Sequence, residues 1–517
     1  MNSSVHGSRV RSFVACTTAL LVAACGGTSS GGVNTDSQAS DLHGSGRWND
    51  VHGSRVLHFV DGTGHVTDVP DPIAPFNIGA VLRDDPHSTF IPAVVNGNQF
   101  TIPGVPGDTY DLIFQAPGAA SPTHDITDER SLDFDQFILG RSNLVNPGPG
   151  TTLALNVSGL EAWDPANDDL QLTAPGAGIG FGSLVGAGFS PQPGDTSLSS
   201  SVDASTFVNA NGGGGLIDTS QGDRVFLTQL TPGPSSADVV SFNRLTRGVE
   251  VTSLIMANGG TTPLSAALAP VAQASSFDLT LRRGEYDALR AGVGAGAQIA
   301  FHFTGVDALP AGLAAGVIGG TPDLITALVL PGTTDVPLSA TYGNPFPGQW
   351  SRFGFLATIY RVPISVPTDS GPVTFTQSAN VFFQAALPSF TAHGLRPLVG
   401  PVHDATVGGQ PMLAGASGVG TTPRVAWEAP LVGHPTSYSV RLQQLTISGG
   451  SVSSKTLASI LTHERSAGVP AGLMVPGGKY VIVVNANLTG PFDQAETPLR
   501  TGYPVAVAPA VSGLITP

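Results

Sequence analysis

Five acidic side chains lie close together in one short segment of the sequence. They fall within eleven residues and are Asp125, Asp128, Glu129, Asp133 and Asp135. Carboxylates at this spacing could supply part of the roughly six to eight oxygen ligands that Ca²⁺ takes in proteins. The segment lacks the glycine and the alternating ligands of a calcium-binding loop, which favours a solvated acidic loop. Calcium binding is therefore the second of two interpretations of this segment.

Two histidines flank a predicted hairpin in the first part of the chain. Asp61-Gly62 separates two strand-like runs and is a strong turn signal, because both residues tolerate positive φ angles. If Val60 pairs with His65, the imidazoles of His58 and His65 share one face as diagonal neighbours, about 7 to 8 Å apart at the backbone. Long side chains can close that distance around Zn²⁺. The simpler alternative is a pair of exposed surface histidines.

Three carboxylates follow a tryptophan in the middle of the chain. Asp164, Asp168 and Asp169 lie next to Trp163, and paired carboxylates are the acid, base or nucleophile of most glycoside hydrolases. The sequence contains no nucleophile elbow, no zinc-protease motif, no phosphate-binding loop and no dinucleotide fingerprint. Because carboxylate hydrolases carry no short motif, these absences weaken the case for an enzyme without removing it. We assign no catalytic residue and expect no cofactor.

An aromatic segment rich in proline and glycine allows two interpretations. It runs from Tyr342 through Phe346 to Trp350. Aromatic rings on a rigid loop can stack on sugars, but more often such rings anchor a loop in the hydrophobic core. We favour the core.

A short apolar run near the start of the chain ends in a cysteine. Arg9 and Arg11 precede the run, which extends from Phe13 to Ala24 and is followed by Cys25. The run is too short to cross a bilayer as a permanent helix and is typical of an export signal. Its closing Val-Ala-Ala-Cys resembles the lipobox of bacterial lipoproteins. The resemblance implies that residues 1–24 are a signal peptide, and that Cys25 carries a lipid through which the protein is attached to a membrane.

The residues after Cys25 indicate where the anchored protein resides. Gly26 stands where lipoproteins kept at the inner membrane of some Gram-negative bacteria have Asp, so the resemblance favours the outer membrane of the cell envelope. Residues 25–46 are rich in Gly and Ser and have little to bury. They are predicted to form a flexible tether that spans on the order of 25 Å.

The charge of the chain argues against nucleic acid as a partner. The formal net charge is -15, and loss of residues 1–24 removes two arginines and no acid, which leaves -17. The only two lysines are Lys455 and Lys479, so no basic patch can be built from lysine. The cysteines are Cys16, within the signal, and Cys25. No disulfide is therefore expected. The acidic charge and the predicted place in the envelope instead favour polysaccharides or envelope proteins as partners.

Composition indicates an all-β protein with many strands and tight loops, and the resemblances of its outer parts described below imply several β-sandwich domains in tandem. The chain has 66 Gly and 42 Pro, and its apolar residues, 41% of the total, occur in short runs between turn residues. The first domain is assigned to residues 47–140. Its predicted strands are 56–60, 65–69, 76–82, 90–95, 99–102 and 109–114.

One motif in this domain resembles a known family. Gly97, Phe100, Ile102, a Gly-Val-Pro-Gly turn at 104–107 and Tyr110 follow the pattern of carboxypeptidase regulatory-like, or prealbumin-like, β-sandwich domains. The resemblance implies that Phe100 and Ile102 point into the core and that Tyr110 opens the next strand. Such domains are usually spacers or binding modules, so no active site is implied.

Residues 141–400 have the alternation of half-buried strands but resemble no family. One short helix is predicted at Arg283–Ala291, because Tyr286, Leu289 and Arg290 fall at helical spacing. The strands could form one large sandwich, two small ones or a propeller.

The last domain is assigned to residues 401–508, with 509–517 as a tail. Trp427, Tyr438 and a Met-Val-Pro-Gly-Gly-Lys-Tyr corner ending at Tyr480 resemble the strand signatures of fibronectin type III domains. The resemblance implies that the hydroxyl of Tyr480 bonds back to the chain. A polar insertion, Ser448–Lys455, is predicted to be a hairpin loop.

Together these features predict a lipid-anchored cell-envelope protein that binds, adheres or acts as a scaffold without catalysis. The prealbumin-like domain would lie near the membrane and the fibronectin type III-like domain at the far end. The alternative is a polysaccharide-directed hydrolase with a carboxylate site in residues 141–400.

Overall fold

The computed structural model describes residues 50–82, 89–105, 109–185, 191–204, 214–314, 320–448, 450–490 and 505–517. Within these ranges the chain consists of β-strands and two short α-helices, which confirms the predicted all-β class. No helix in the same ranges is long and apolar enough to cross a membrane. The predicted signal peptide, Cys25 and the whole predicted tether lie outside the described residues, which begin at residue 50.

Residues 50–140 form what we call the N-terminal unit. Its strands are β1 (Val51–Ser54), β2 (Val56–Val60), β3 (Val66–Pro70), β4 (Asn77–Val81), β5 (Phe90–Pro92), β6 (Val94–Asn96), β7 (Gln99–Ile102), β8 (Tyr110–Gln115), β9 (Thr123–Thr127), β10 (Ser131–Asp133) and β11 (Gln136–Leu139). They pair in the orders β10-β1-β7-β6, β11-β2-β3 and β5-β4-β8-β9. The predicted strands are present with shifts of at most one residue, except that 90–95 is divided into β5 and β6, and β1, β9, β10 and β11 were not predicted.

Alternation of apolar residues places the core of this unit as predicted. Phe100 and Ile102 are buried, and Tyr110 opens β8 with no exposed surface. The ring of Phe100 stacks on that of Phe134 with centroids 5.0 Å apart. Gly97 closes the turn between β6 and β7 with a φ of 63°, a conformation that favours glycine. Local sequence signals therefore place the core residues of this unit.

Residues 141–400 form the central unit. Its strands are β12 (Thr152–Ser158), β13 (Asp169–Ala174), β14 (Ile179–Ser183), β15 (Ser197–Asp203), β16 (Val225–Pro232), β17 (Val239–Val251), β18 (Thr261–Ala267), β19 (Ala269–Pro270), β20 (Ser275–Leu281), β21 (Gln298–Leu309), β22 (Asp323–Val329), β23 (Val336–Tyr342), β24 (Ser351–Val366) and β25 (Val373–Ala386). The α-helices are α1 (Arg283–Val293) and α2 (Leu387–His393), and short 3-10 helices lie at Pro175–Ala177 and Thr219–Gln221. The predicted helix is confirmed as α1.

The central unit has two hydrophobic cores rather than one. A long sheet runs in the order β14-β13-β16-β17-β22-β21-β24-β25. The small sheet β15-β12-β18 and the first strands of the long sheet share one core, which includes Leu155, Trp163 and Leu172. Helix α1 and the pair β20-β23 contribute Tyr286 and Leu338 to the larger core on the remaining strands. Of the three predicted architectures, two sandwiches that share one sheet come nearest to this arrangement.

Residues 401–517 form the C-terminal unit. Its strands are β26 (His403–Val407), β27 (Gln410–Pro411), β28 (Ala416–Ser417), β29 (Arg424–Glu428), β30 (Ser437–Ser448), β31 (Ser451–Thr462), β32 (Ser466–Gly468), β33 (Tyr480–Leu488), β34 (Ala506–Val511) and β35 (Ile515–Thr516). One sheet has the order β27-β26-β29-β32, and the facing strands pair in the order β31-β30-β33-β34. The buried ring of Trp427 lies 5.3 Å from that of Tyr438 in an edge-to-face contact.

Tyr480 occupies the corner position that its sequence context predicts. Its side chain is fully buried, and its hydroxyl oxygen accepts a hydrogen bond of 2.9 Å from the backbone N–H of Val475. A Cβ on Gly478 would lie only 2.4 Å from that hydroxyl. The corner therefore requires glycine at position 478, because any side chain there would displace the tyrosine.

Two predictions for the C-terminal unit need correction. The hairpin predicted at Ser448–Lys455 is present, but its turn lies between the paired residues Ser448 and Ser451, and residues 451–455 belong to strand β31 instead of a loop. Residues 509–517 are not a tail, because β34 pairs with β33 along its length and Val511 and Ile515 are fully buried. Polarity and position in the chain suggested loops, but both segments have backbone partners.

The three units are joined by strand pairing, not by linkers alone. Strand β25 of the central unit pairs with β34 at Phe382–Val507 and Phe383–Ala506. Strand β9 of the N-terminal unit pairs in parallel with β31 at Thr123–Ser459, His124–Ile460 and Asp125–Leu461. Hydrogen-bonded strands therefore continue from the N-terminal unit through the C-terminal unit into the central unit.

This arrangement overturns one predicted feature. The C-terminal unit was expected at the far end of a row of domains, but β9 places it directly beside the N-terminal unit. Edge strands have unpaired backbone N–H and C=O groups, and pairing between units satisfies them. Each of the three units therefore contacts the other two, since the N-terminal unit also packs on the central unit.

We call that third contact the hairpin seat. Leu309, Leu313 and Phe353 of the central unit pack in one cluster with Val60 and Leu139 of the N-terminal unit. The backbones approach so closely that a Cβ on Gly312 would lie 2.9 Å from the Cα of Gly64. The hairpin formed by β2 and β3 is thus held against the long central sheet.

Candidate functional site

The acidic segment predicted as a loop or calcium site is distributed over two strands and their ends. Asp125 is fully buried in β9, whereas Asp128 is exposed beyond its end. Asp133 accepts a hydrogen bond from the backbone N–H of Asp135, and Asp135 accepts one of 2.7 Å from Val56. Within the described ranges, no group of three or more His, Cys, Asp or Glu side chains is placed to hold one metal ion. Asp133 and Asp135 therefore serve local structure.

His58 and His65 do not meet, because the predicted register is wrong by one residue. Val60 pairs with Val66, not with His65, and His58 pairs with Asp68. A slip of one residue moves a side chain to the other face of a hairpin. His58 and His65 therefore lie on opposite faces and cannot share one ion as predicted.

His58 instead lies between two carboxylates. Its Nδ1 is 2.7 Å from Asp68 and its Nε2 is 3.3 Å from Asp135. Its ring packs on Phe137 at 4.4 Å between centroids. The hydrogen bond to Asp135 is the main cause that raises the pKa of His58 above its ordinary value, against the opposing effect of burial. This group stabilises the β2–β11 pair and leaves no open position for a ligand.

The three carboxylates beside Trp163 do not converge on a common point. Asp164 accepts from the backbone N–H of Ala166 and from Asn167, as a turn-capping residue does. Asp168 is buried and accepts a hydrogen bond of 3.0 Å from Gln229. Asp169 accepts from Ser183 at 2.6 Å. Each of the three is engaged in a different local interaction, and Trp163 belongs to the core.

A second group of carboxylates, which the sequence analysis missed, lies where β13 meets β22. Gln171 is fully buried, and its amide nitrogen donates to Asp169 at 3.0 Å and to Asp323 at 2.8 Å. Asp323 is the cross-strand partner of Asp307, which is 8% exposed. The only sequence signal was an acid inside the apolar run of β21, a position that usually holds a hydrophobic residue.

A buried histidine was missed for the same reason. His302 has no exposed surface, its Nδ1 is 2.9 Å from Thr358, and its ring contacts Tyr286 edge-to-face at 5.6 Å. Burial, with a smaller contribution from the charge of Arg283, lowers the pKa of His302 to about 3. The imidazole is therefore neutral at physiological pH. It is enclosed by the core and cannot reach a substrate.

The aromatic segment that could have stacked on sugars is part of the core, as we favoured. Tyr342, Phe346 and Trp350 are each less than one-tenth exposed. The rings of Phe346 and Trp350 stack at 4.8 Å with 3° between their planes. Trp350 also donates from Nε1 to the backbone oxygen of Gly62 at 3.3 Å. The segment thus joins the central core to the hairpin of the N-terminal unit.

We expect Trp350→Ala to reduce the free energy of unfolding by about 3 to 5 kcal/mol, because it removes a buried ring and leaves a cavity. Trp350→Phe is the matched control. It keeps a ring but loses the bond to Gly62, and we expect it to lose much less. Urea unfolding followed by circular dichroism measures both. A loss below about 1 kcal/mol for the alanine variant would contradict a core role.

One open surface feature combines charges of both signs. A shallow depression of about 520 Å³ is lined by residues of β29 and of the segment that leads into β32. Its lining includes Arg424, Glu428, His463 and Arg465. Arg465 donates to Glu428 at 2.6 Å, and both of these side chains are more than half exposed. Polar groups on an open surface suit contact with a hydrated ligand better than chemistry that must exclude water.

Comparisons with known proteins place this chain in no family. No family model matches it, and no curated protein matches it. The crystal structure of the N-terminal four Ig domains of Dscam1 isoform 8.4 is similar over 90% of this chain and 99% of that one, at 9% identity and a TM-score of 0.13. The structure of the Streptococcal ancillary pilin is similar over 64% of this chain and 95% of that one, at 12% identity and a TM-score of 0.11. Scores this low support no inference about fold or function.

Proposed function

We propose that this protein is a lipid-anchored scaffold or binding protein of the cell envelope, without catalytic activity. The observation that carries this proposal is the continuous strand pairing of all three units through β9–β31 and β25–β34. Such pairing fixes the units relative to one another, which suits a rigid presenting surface. The candidate catalytic carboxylates Asp164, Asp168 and Asp169 are engaged in internal hydrogen bonds.

The families of the outer units and the place of the protein form part of the same proposal. The packing of Trp427 on Tyr438 and the bond from Val475 to Tyr480 support a fibronectin type III-like C-terminal unit. The buried Phe100, Ile102 and Tyr110 support a prealbumin-like N-terminal unit. The lipobox-like sequence supports attachment through Cys25 to the outer membrane. Partners would be envelope polysaccharides or proteins.

Attachment is tested by Cys25→Ser in the full chain. A single acyl chain binds membranes only marginally, and lipoproteins are held by more than one. Without the thiol no lipid can be added, so we expect the variant to move from the membrane fraction to the soluble fraction. Cys16→Ser is the matched control and should leave the distribution unchanged. Membrane association of the Cys25→Ser variant would contradict the proposed anchor.

Binding is tested with a soluble form that begins at Gly26, mixed with envelope polysaccharide. Retention without shortening of the polysaccharide chains supports a binding role. The depression on β29 is the surface we expect to be involved, so a double variant, Glu428→Ala with Arg465→Ala, should weaken retention. Asp369→Ala, in the exposed turn between β24 and β25, is the control. Absence of retention on polysaccharide and on envelope protein would contradict the proposal.

The runner-up function is a polysaccharide-directed hydrolase of the central unit. One observation favours it: Gln171 brings Asp169 and Asp323 to a single amide nitrogen, with Asp307 opposite Asp323. Two neighbouring carboxylates are the minimum for glycoside hydrolysis. Shortened polysaccharide chains in the same assay, lost in Asp323→Asn, would replace the scaffold by this alternative.

A further inference from the structure

The pairing of Asp307 with Asp323 requires an explanation beyond packing. Asp307 lies in β21 and pairs antiparallel with Asp323 in β22, next to a β-bulge between Val306 and Asp307; cross-strand partners in a regular pair have Cβ atoms about 4.5 to 5.5 Å apart. The Asp307 carboxyl accepts a hydrogen bond of 2.8 Å from Thr321, and it is also within hydrogen-bonding reach of Asp323. Ionised carboxylates only accept hydrogen bonds, so two of them can bond to each other only if one carries a proton.

Asp307 has an acidic, a hydroxyl and an apolar neighbour, which are Asp323, Thr321 and Phe353. From β13, Asp169 reaches the same amide nitrogen of Gln171 that binds Asp323. From β24, Phe353 is the cross-strand partner of Asp307. The neighbouring Arg352 points to the other face, where it donates to Ser275 and to the hydroxyl of Tyr342. Among the described residues, no cation lies at ion-pair distance from Asp307.

We propose that Asp307 and Asp323 hold one proton between them, and that this buried proton is a pH-sensitive link between the β21–β22 pair and the hairpin seat. Phe353, opposite Asp307, is one of the residues on which Val60 and Leu139 of the N-terminal unit pack. Loss of the proton places two negative charges across one strand pair directly beside that contact. Repulsion between them loosens the seat while the C-terminal unit is unaffected.

The direction of the pH dependence follows from the same geometry. Burial and the neighbouring Asp323 raise the pKa of Asp307 well above its ordinary value. A carboxyl group whose pKa is higher in the folded than in the unfolded protein stabilises the fold below the unfolded pKa. That contribution is lost as the pH rises through the folded pKa. The link is therefore closed in acid and opens towards alkaline pH.

The test compares the wild type with Asp307→Asn over the full range from about pH 5 to about pH 9. Asparagine keeps the shape, accepts from Thr321 and donates to Asp323 without a proton that can leave. We expect the urea midpoint of the wild type, relative to the variant, to fall as the pH rises. The titration of His58 affects the stability of both proteins equally, so its contribution cancels in the comparison. Asp369→Asn, an exposed control, should follow the wild type.

Hydrogen exchange distinguishes a local link from general loss of stability. At about pH 9 we expect residues 56–70 to exchange faster in the wild type than in Asp307→Asn, with residues 437–448 unchanged between the two. The proposal would be overturned if the urea midpoints of the wild type and Asp307→Asn changed equally with pH, or if exchange rose equally in both segments. If the variant does not fold, infrared spectra of the wild type with labelled aspartate decide: a buried protonated carboxyl at neutral pH supports the shared proton, and its absence refutes it.

Discussion

A chain that ends at residue 508 is expected to lose most of the stability of its C-terminal unit. The deletion removes half of β34 and all of β35, and with them the fully buried side chains of Val511 and Ile515. Burial of each such side chain contributes about 1.5 to 3 kcal/mol. The deletion also removes the partners of Val483 and Val484 in the adjoining strand β33, which are Val511 and Ala510. The expected loss is several kcal/mol, a large part of the stability of an ordinary domain.

Thermal unfolding followed by tryptophan fluorescence is the appropriate measurement, since one of the four tryptophans, Trp427, lies in the core of the affected unit. Removal of Pro517 alone is the matched control, because the residue is only half-buried and lies outside β35. We expect the control to melt as the wild type does and the longer deletion to melt far lower or without a cooperative transition. A deletion variant that melts normally would mean that residues 509–517 are a tail after all.

Acid is expected to destabilise the central unit through His302. The pKa of this histidine is about 3 in the folded protein and 6.5 in the unfolded chain. A group with a lowered folded pKa stabilises the protein above its unfolded pKa and loses that contribution as the pH falls towards the folded pKa. Between pH 6.5 and about pH 4, the expected loss is about 3 kcal/mol from this residue alone.

The measurement is the free energy of unfolding in urea at neutral pH and near pH 4. His302→Gln cannot be protonated, so it should begin less stable, through imperfect packing, but lose less on acidification than the wild type does. The exposed histidine His393 provides the control, and His393→Gln should show the full acid loss. An identical acid loss in the wild type and in His302→Gln would exclude His302 as the cause.

Strands and turns of this protein can be predicted because their signals are local. The alternation in β8 and the Asn96-Gly97 turn each depend on a few consecutive residues, and so does the helix α1. The register of the β2–β3 hairpin could not be predicted reliably. The Asp61–Gly64 turn fits more than one pairing, and a single-residue difference moved His65 to the opposite face from His58.

Contacts between distant segments have no such signal. A polar strand such as β31 and a polar loop have the same composition, so Ser451–Lys455 was assigned to a loop. An acid in an apolar strand does not reveal its partner, and Asp307 becomes interpretable only when β22 places Asp323 opposite it. The candidate carboxylates 164, 168 and 169 were chosen by proximity in sequence, whereas the structure groups Asp169 with residues more than 130 positions away.

The parallel pairing of β9 with β31 also has a consequence for how the protein is made. Asp125 and Leu461 become neighbours only after more than three hundred intervening residues have been synthesised. Until then the edges of β9 and β25 are unpaired, and unpaired edges are templates for aggregation. Contacts of such long range also form slowly. Biogenesis of this protein should therefore depend on a holding chaperone for longer than three independently folding domains would require.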